Sequence, residues 1–313
     1  MTKKDDILSL DCNCISRRAF IQTGIVAGAA LSLAPSVVLG FDEDPMVDVW
    51  VIHGKNKAKL MLKCLKIIKQ NGGFGARKNT LALKVNSAWA RSPETGANTH
   101  PELVGEFIKG CKKLGVKNIV IPENPCSSAR HSFTKSGILA AAQENDAKMI
   151  DLKSNSKYFE EVKIPKGKKL KEAYVAKQFL DSDIIVNMPV AKHHKGALLS
   201  MAMKNWMGAV KDRGYWHRNN LNQCIADFCT FMKPTWTIID ATRLMMDKGP
   251  QGPSSNMKTP DLLIVSRNQV SADAYASMLF HDSPTKVKYI KIANQMGLGP
   301  IEISKMNIHK VEA

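Results

Sequence analysis

Apolar positions along this chain keep two rhythms: short runs rich in Val and Ile, and longer stretches in which they recur three and four residues apart. Asp48 to His53 (DVWVIH) reads as a first strand. Lys57 to Gln70 follows as a helix, with Met61, Cys64, Leu65 and Ile68 on one face against lysines, and Asn71-Gly72-Gly73 ends it. Thr80 to Val85 is a second strand, with Lys84-Val85-Asn86 at its C-terminal end. The next helix opens at Thr99-His100-Pro101-Glu102, with Thr99 as N-cap and Pro101 in the first turn, and runs to Leu114. Lys117 to Ile121 is a third strand ending at Pro122-Glu123, followed by a helix over Ser136 to Asn145 and a short strand over Lys148 to Leu152.

Residues 153–169 are charged and interrupted by proline, which suits a loop or a small excursion hairpin. A helix over Leu170 to Leu180 is expected to lead into a buried strand at Ile184-Ile185-Val186, which Asn187-Met188-Pro189 stops, because proline has no amide hydrogen for the sheet. Lys192, His193, His194 and Lys195 come next, and a helical pattern from near Gly196 carries Lys204 and Asn205. Beyond it lie a polar aromatic loop (Asp212 to Asn220), a helix (Leu221 to Met232), a strand (Thr235 to Asp240) and a Gly/Pro loop (Lys248 to Pro253). A last strand at Leu262 to Val265 precedes helices at Ala272 to Phe280 and Val287 to Met296. Strand and helix alternate throughout, so the expected fold class is α/β: a mostly parallel sheet flanked by helices, one large domain or two closely joined lobes over residues 41–313.

Residues 1–40 have a different character. Ser16-Arg17-Arg18-Ala19-Phe20-Ile21 is a twin-arginine motif, Gly24 to Leu33 is apolar and rich in small residues, and Val38-Leu39-Gly40 suits a signal peptidase. We expect a twin-arginine (Tat) signal peptide that engages the twin-arginine export machinery and delivers the mature chain to the periplasm or cell envelope of a bacterium. The apolar segment is too short and too rich in glycine and alanine for a membrane span, and none is expected in the mature chain. This route carries folded proteins, often with a cofactor already loaded.

The formal net charge is +17, and removal of residues 1–40 lowers it only to +16. The lysines are spread along the chain, so a solvated basic surface near the anionic envelope is expected and nucleic acid is not. Cys64, Cys111, Cys126, Cys224 and Cys229 form no CxxC pair and no run that would hold a built-in iron–sulfur cluster, and no disulfide framework is expected. HExxH, Walker, GxGxxG and GxSxG signatures are all absent, which disfavours ordinary zinc protease, nucleotide hydrolase, Rossmann dehydrogenase and serine hydrolase chemistry.

In this order the polar residues resemble a known family. Lys84-Val85-Asn86, Thr99-His100-Pro101-Glu102, Glu123 and Ser136-Gly137-Ile138 come first. Asn187, Pro189, Lys192, His194, Lys204, Asn205 and Gly208 follow, and then Asp240, Gly249, Pro250, Gly252 and Ala272-Asp273. The pattern is similar to that of the domain of unknown function 362 family, in a twin-arginine-exported form. Two departures stand out: Val190-Ala191 replaces the usual Lys-Leu after the proline, and cysteines for the ferredoxin-like cluster domain of many relatives are missing. The resemblance implies the fold and no settled activity.

In open α/β sheets, ligands bind where strands end and helices begin. Lys192 and His194 are the foremost catalytic candidates, because a histidine near a cation stays neutral and can serve as acid, base or ligand. Lys204 and Asn205 suit an anion or a carbonyl group, although a lysine stem covering apolar surface is an equal reading. Met201, Met203 and Met207 have core spacing. Lys84, Asn86 and Glu123 are candidates for holding a cofactor, and His100, His194 and Asp240 for holding a metal ion. Three functions stay open: a metal- or redox-cofactor-dependent enzyme, a binder of an anionic small molecule clamped by Lys84, Lys192 and Lys204, and an accessory factor docking on an exported redox partner.

Overall fold

Side chains of the central strands are apolar on both faces, and only a sheet covered from both sides can bury them. The computed structural model describes residues 46–313, which lie in one compact unit. The expected export signal over residues 1–40 lies outside the described residues. Strands β1 (Val47–His53), β2 (Thr80–Val85), β3 (Asn118–Glu123) and β4 (Lys148–Asp151) are interleaved with helices α1 (Lys57–Gln70), α2 (Pro101–Lys113), α3 (Ala129–Lys135) and α4 (Ile138–Glu144). Next come β5 (Phe159–Lys163), β6 (Glu172–Ala176), the short helix α5 (Lys177–Leu180), β7 (Ile184–Met188), β8 (Val190–His194) and β9 (Leu198–Ser200). Helices α6 (Ala202–Asn205), α7 (Arg213–Arg218) and α8 (Leu221–Phe231) precede β10 (Trp236–Met245), β11 (Met257–Lys258) and β12 (Leu262–Ser266). Helices α9 (Gln269–Ser277) and α10 (Lys288–Gln295) and strand β13 (Met306–Glu312) complete the chain.

The main sheet runs β13-β1-β12-β10-β7-β2-β3-β4, parallel from β10 to β4, with β12 antiparallel to both of its neighbours. The fold is the expected α/β class. Alternation along the strands sorts the two cores. Leu81, Leu83 and Val85 of β2 pack with Leu60 and Met61 of α1 and Phe107 of α2. Ala82, Ile185 and Ile239 face the opposite core, with Phe228 of α8 and Ala272 of α9. Cys64 and Cys111 are buried on their helices' apolar faces, and Met201, Met203 and Met207 are core residues, as their spacing predicts. Among the described residues no helix is long and apolar enough to cross a membrane.

Several expectations are corrected. The helix over Leu170 to Leu180 is instead β6 followed by one turn, because Ala173 and Val175 are buried while Glu172 and Tyr174 are exposed, a period of two. Strand β6 forms the second arm of the excursion hairpin with β5. The helix from Gly196 is a β8–β9 hairpin, and only Ala202–Asn205 is α-helical before a 3-10 turn over Trp206–Ala209. Thr99 does not cap α2. Its hydroxyl donates to Met188 O (2.7 Å) and accepts from Asn86 N (2.9 Å), and His100 is the cap. The helix expected over Ser136 to Asn145 is α4, starting two residues later at Ile138 because Gly137 takes φ +74°, and a further helix, α3, precedes it. Strand β13, half-exposed at the sheet edge beside β1, is an addition beyond the expected last strand.

Candidate functional site

The register of the parallel strands sets Lys84 of β2 beside Asn187 of β7, on the side covered by α6. From the end of α6, Asn205 donates Nδ2 to Lys84 O (3.1 Å) and Asn187 Oδ1 (2.9 Å). Its Oδ1 accepts from Asn86 Nδ2 (3.2 Å) and Lys84 Nζ (3.4 Å). Lys84 Nζ also donates to Val85 O (2.5 Å) and pairs with Glu123 Oε2 (2.9 Å). That carboxylate oxygen accepts from Ser87 N as well, at 3.0 Å. Burial pulls the Lys84 amine below its ordinary value, against the pull of Glu123. Above the ion pair lies Gly208, where a Cβ would stand 1.9 Å from Glu123 Oε1 and 2.7 Å from Lys84 Nζ. No other residue fits there without parting the pair.

Helix α6 is too short to hold itself in place. Asp273 of α9 does so by accepting Ala202 N (2.7 Å) and Met203 N (2.9 Å) on its two oxygens. Burial pushes this carboxyl up to about 7, opposed by the two amides. Lys204, on α6, is 8% exposed, and among the described residues the one hydrogen-bond partner of its Nζ is Met207 Sδ, at 3.5 Å. Burial brings its amine down to about 8. Lys192, inside β8, donates to Asn86 Oδ1 (3.2 Å) and to Ala97 O. Burial, and then the charge of Lys204, brings it down to about 7.

His194 closes the β8–β9 turn by accepting Gly196 N (3.0 Å) and Ala197 N (3.2 Å) on Nδ1. These two bonds assign the neutral ring's proton to Nε2, which has no hydrogen-bond partner among the described residues. Burial, followed by the charges of Lys204 and Lys192, lowers its pKa to about 2, so the ring is neutral at any physiological pH. Arg213, opening α7, donates to Asn124 O (2.5 Å) and Pro125 O (2.8 Å).

These groups surround one cavity of about 460 Å³. Four cations, Lys84, Lys192, Lys204 and Arg213, line it beside a single carboxylate, Glu123. A low-dielectric pocket with that imbalance has the electrostatics to hold a negatively charged group.

The segment carrying all of these residues, 81–278, matches the family model described as domain of unknown function (DUF362). The chain belongs to the DUF362 family. Every residue lining the cavity, from Lys84 to Pro250, falls inside the DUF362 segment. The chain is also similar to the thylakoid-associated protein sll1697 of Synechocystis sp. (strain ATCC 27184 / PCC 6803 / Kazusa), 21% identical over 242 residues, 73% of this chain and 71% of that protein. Two solved structures are similar in outline. A protein from Thermotoga maritima (TM-score 0.44, 11% identity) is matched over 78% of this chain and 60% of its own. The lactate racemase apoprotein from Thermoanaerobacterium thermosaccharolyticum (TM-score 0.42, 12% identity) is matched over 70% of this chain. The chain thus spans 60% and 54% of these two proteins.

Seven of the nine residues singled out in this DUF362 sequence line the cavity: Lys84, Asn86, Glu123, Lys192, His194, Lys204 and Asn205. His100 and Asp240 do not, and the expected metal set of His100, His194 and Asp240 is not assembled. Asp240 is used up: Oδ1 accepts Thr242 N (3.0 Å) and Thr242 Oγ1 (2.7 Å), and Oδ2 accepts His100 N (2.9 Å) and Arg243 Nη1 (3.2 Å). His100 Nδ1 accepts from Glu102 N (3.3 Å) at the start of α2. Among the described residues no group of three or more His, Cys, Asp or Glu is placed to hold a metal ion. Arg213, His217 and the exposed thiol of Cys126 also line the cavity and were not singled out. The sequence DRGYWHRNN held a signal for the first two, because two arginines and a histidine follow α6 and its 3-10 turn closely.

Proposed function

We propose that the DUF362 domain of this chain binds a small molecule bearing a carboxylate or phosphate, with Lys192, Lys204 and Arg213 supplying its counter-charge and His194 Nε2–H a neutral hydrogen bond. The observation that carries this reading is the cavity's charge balance, four cations against Glu123 alone, when Glu123 is already paired with Lys84. Removing ammonium groups from water without a partner is costly, and a bound anion repays that cost at once. The unassembled metal set moves the weight away from the metal-dependent reading.

The site is proposed to act outside the cytoplasm. Ser16-Arg17-Arg18 and the apolar segment after it support twin-arginine export to the periplasm or cell envelope.

A panel of phosphates, di- and tricarboxylates and sugar acids, read by thermal shift and calorimetry, tests the binding reading. Saturable stabilisation that weakens with salt is expected. A flat response across the panel overturns it. In calorimetry at pH 8, binding should take up protons from the buffer, because an anion raises the lowered pKa values of Lys192 and Lys204.

A further inference from the structure

Three lysines line the cavity, and their amines are not equivalent. Lys84 Nζ donates to Glu123, Val85 O and Asn205, which holds it as an ammonium. Lys192 Nζ donates to Asn86 Oδ1 and Ala97 O. Among the described residues Lys204 Nζ finds no oxygen acceptor, only a thioether sulfur at 3.5 Å, on a side chain that is 8% exposed. A buried amine without an oxygen acceptor gains nothing from its proton and has its lone pair to offer. Desolvation beside other cations is one way a lysine becomes a nucleophile at neutral pH. Lys204 sits in that setting, among Lys192, Lys84 and Arg213.

We infer that Lys204 forms an imine with the carbonyl carbon of an anionic aldehyde or ketone held in this cavity. The inference rests on the anion-binding reading and adds the chemical class of the guest: a carbonyl compound that carries a carboxylate or a phosphate. The Lys204 lone pair forms the new C–N bond, and the carbonyl π pair moves to oxygen. One proton passes from nitrogen to that oxygen, giving a carbinolamine. Nitrogen then forms C=N as the hydroxyl leaves with a second proton as water. Amine and carbonyl become imine and water, and nothing is oxidised or reduced. Burial places the amine near 8, so a large part of the population carries the lone pair at neutral to mildly alkaline pH. The anionic end of the guest pairs with Arg213 and Lys192, and His194 Nε2–H is a donor for the carbinolamine oxygen.

The test treats the full chain with pyruvate, glyoxylate or pyridoxal 5′-phosphate at limiting ratio, reduces with borohydride, and maps the adduct by peptide mass spectrometry. Citrate and phosphate, which have no reactive carbonyl, serve as competitors and as independent binding probes by thermal shift. The expected result is one dominant adduct on Lys204, suppressed by citrate or phosphate. Lys204→Arg, whose guanidinium cannot form an imine, should lose it; an adduct of undiminished yield in that variant overturns the inference. Preferential labelling by pyruvate and glyoxylate points to an oxo acid, and by pyridoxal 5′-phosphate to a phosphorylated aldehyde. Labelling that spreads over surface lysines, or settles on Lys192 and resists the competitors, overturns the inference. If citrate or phosphate stabilises the protein but no adduct forms on Lys204, the imine falls and anion binding stands. If neither probe binds and nothing is trapped, both fall.

Discussion

Two buried polar clusters meet at one loop of this protein. Lys192 donates to Ala97 O on the cavity side, and Arg243 donates to Asn98 O (3.0 Å) on the other. Around Asp240 the account closes on itself. The carboxylate accepts four hydrogen bonds, and Arg243 shares its remaining donors with Pro93 O and Asn98 O. Around Lys192 and Lys204 it stays open, because no carboxylate answers either ammonium. Both clusters carry the residue types expected of a ligand site at strand ends. Only the balance of charge and partners separates a structural knot from a pocket that calls for a guest.

The contrast breaks hardest at Asp240. Asp240→Ala strands Arg243 with a buried charge and leaves the His100 amide without its acceptor. Unfolding in urea should show a loss of about 3–5 kcal/mol, the usual cost of removing one partner of a buried pair. The affinity for the best anion of the panel should stay within a factor of about two at temperatures where the variant is folded. A large loss of affinity with little loss of stability would place Asp240 in the site after all.

Gly208→Ala sharpens the contrast within the cavity. The added methyl would collide with Glu123 Oε1 and Lys84 Nζ and force the ion pair apart. Overpacking of this kind costs about 1–3 kcal/mol. Because Lys84 and Glu123 belong to the cavity wall, anion affinity should fall together with stability. A variant with wild-type stability and affinity would show that the wall is loose.

The open cluster also predicts a pH dependence of unusual sign. Burial lowers Lys192 to about 7 and Lys204 to about 8, from an ordinary 10.5. Between those values and 10.5 the unfolded chain binds more protons than the folded one, so stability contributed by these groups rises with pH. The penalty is complete below pH 7 and gone above 10.5, with a slope of at most about 1.4 kcal/mol per pH unit for each group. Lys204→Met should therefore be neutral or stabilising by about 1–2 kcal/mol at pH 7 without ligand, and this gain should vanish toward pH 10.5. The same variant should lose about tenfold in anion affinity. A destabilised Lys204→Met at pH 7 would mean that the ammonium has a partner.

How much of this was legible in the sequence follows from the kind of information each feature needs. The short apolar runs of β2, β7 and β12 are local, so strands and sheet class could be read from the residues. Lys84, Asn86, Glu123 and Lys192 each stand at or beside the end of an apolar run, and proximity to strand ends sufficed to single them out. The β8–β9 hairpin misled because Leu199, Met203 and Trp206 recur at helical spacing, which masked the strand-like alternation of Ala197, Leu199 and Met201. What settles it is His194 folding back to accept the turn amides, a bond no periodicity encodes. Asp240 misled for a related reason. Its four donors come from segments as far as residue 100, so its satisfaction is a tertiary fact. Arg213 was passed over because a polar aromatic stretch looks like a solvated loop until a cavity wall is known.

His194 gives the finest division between the clusters. His100 caps a helix through Nδ1 and carries Asp240 on its backbone amide, so its ring has a structural duty. His194 also uses Nδ1 to accept backbone amides, but its ring lines a cavity of cations and its Nε2 has no hydrogen-bond partner among the described residues. A neutral donor suits such a pocket, because it can hydrogen-bond a guest without adding to the repulsion among Lys192, Lys204 and Arg213. Burial and the neighbouring lysines lower its pKa to about 2, so nitrogen-15 spectra should show the Nε2–H tautomer unchanged from pH 5 to 8. His194→Ala should lower anion affinity by about fivefold, the worth of one neutral hydrogen bond, without altering its pH dependence. A His194 signal that titrates between pH 5 and 8 would make the ring another cation, and the pocket's neutral donor would have to be sought elsewhere on its wall.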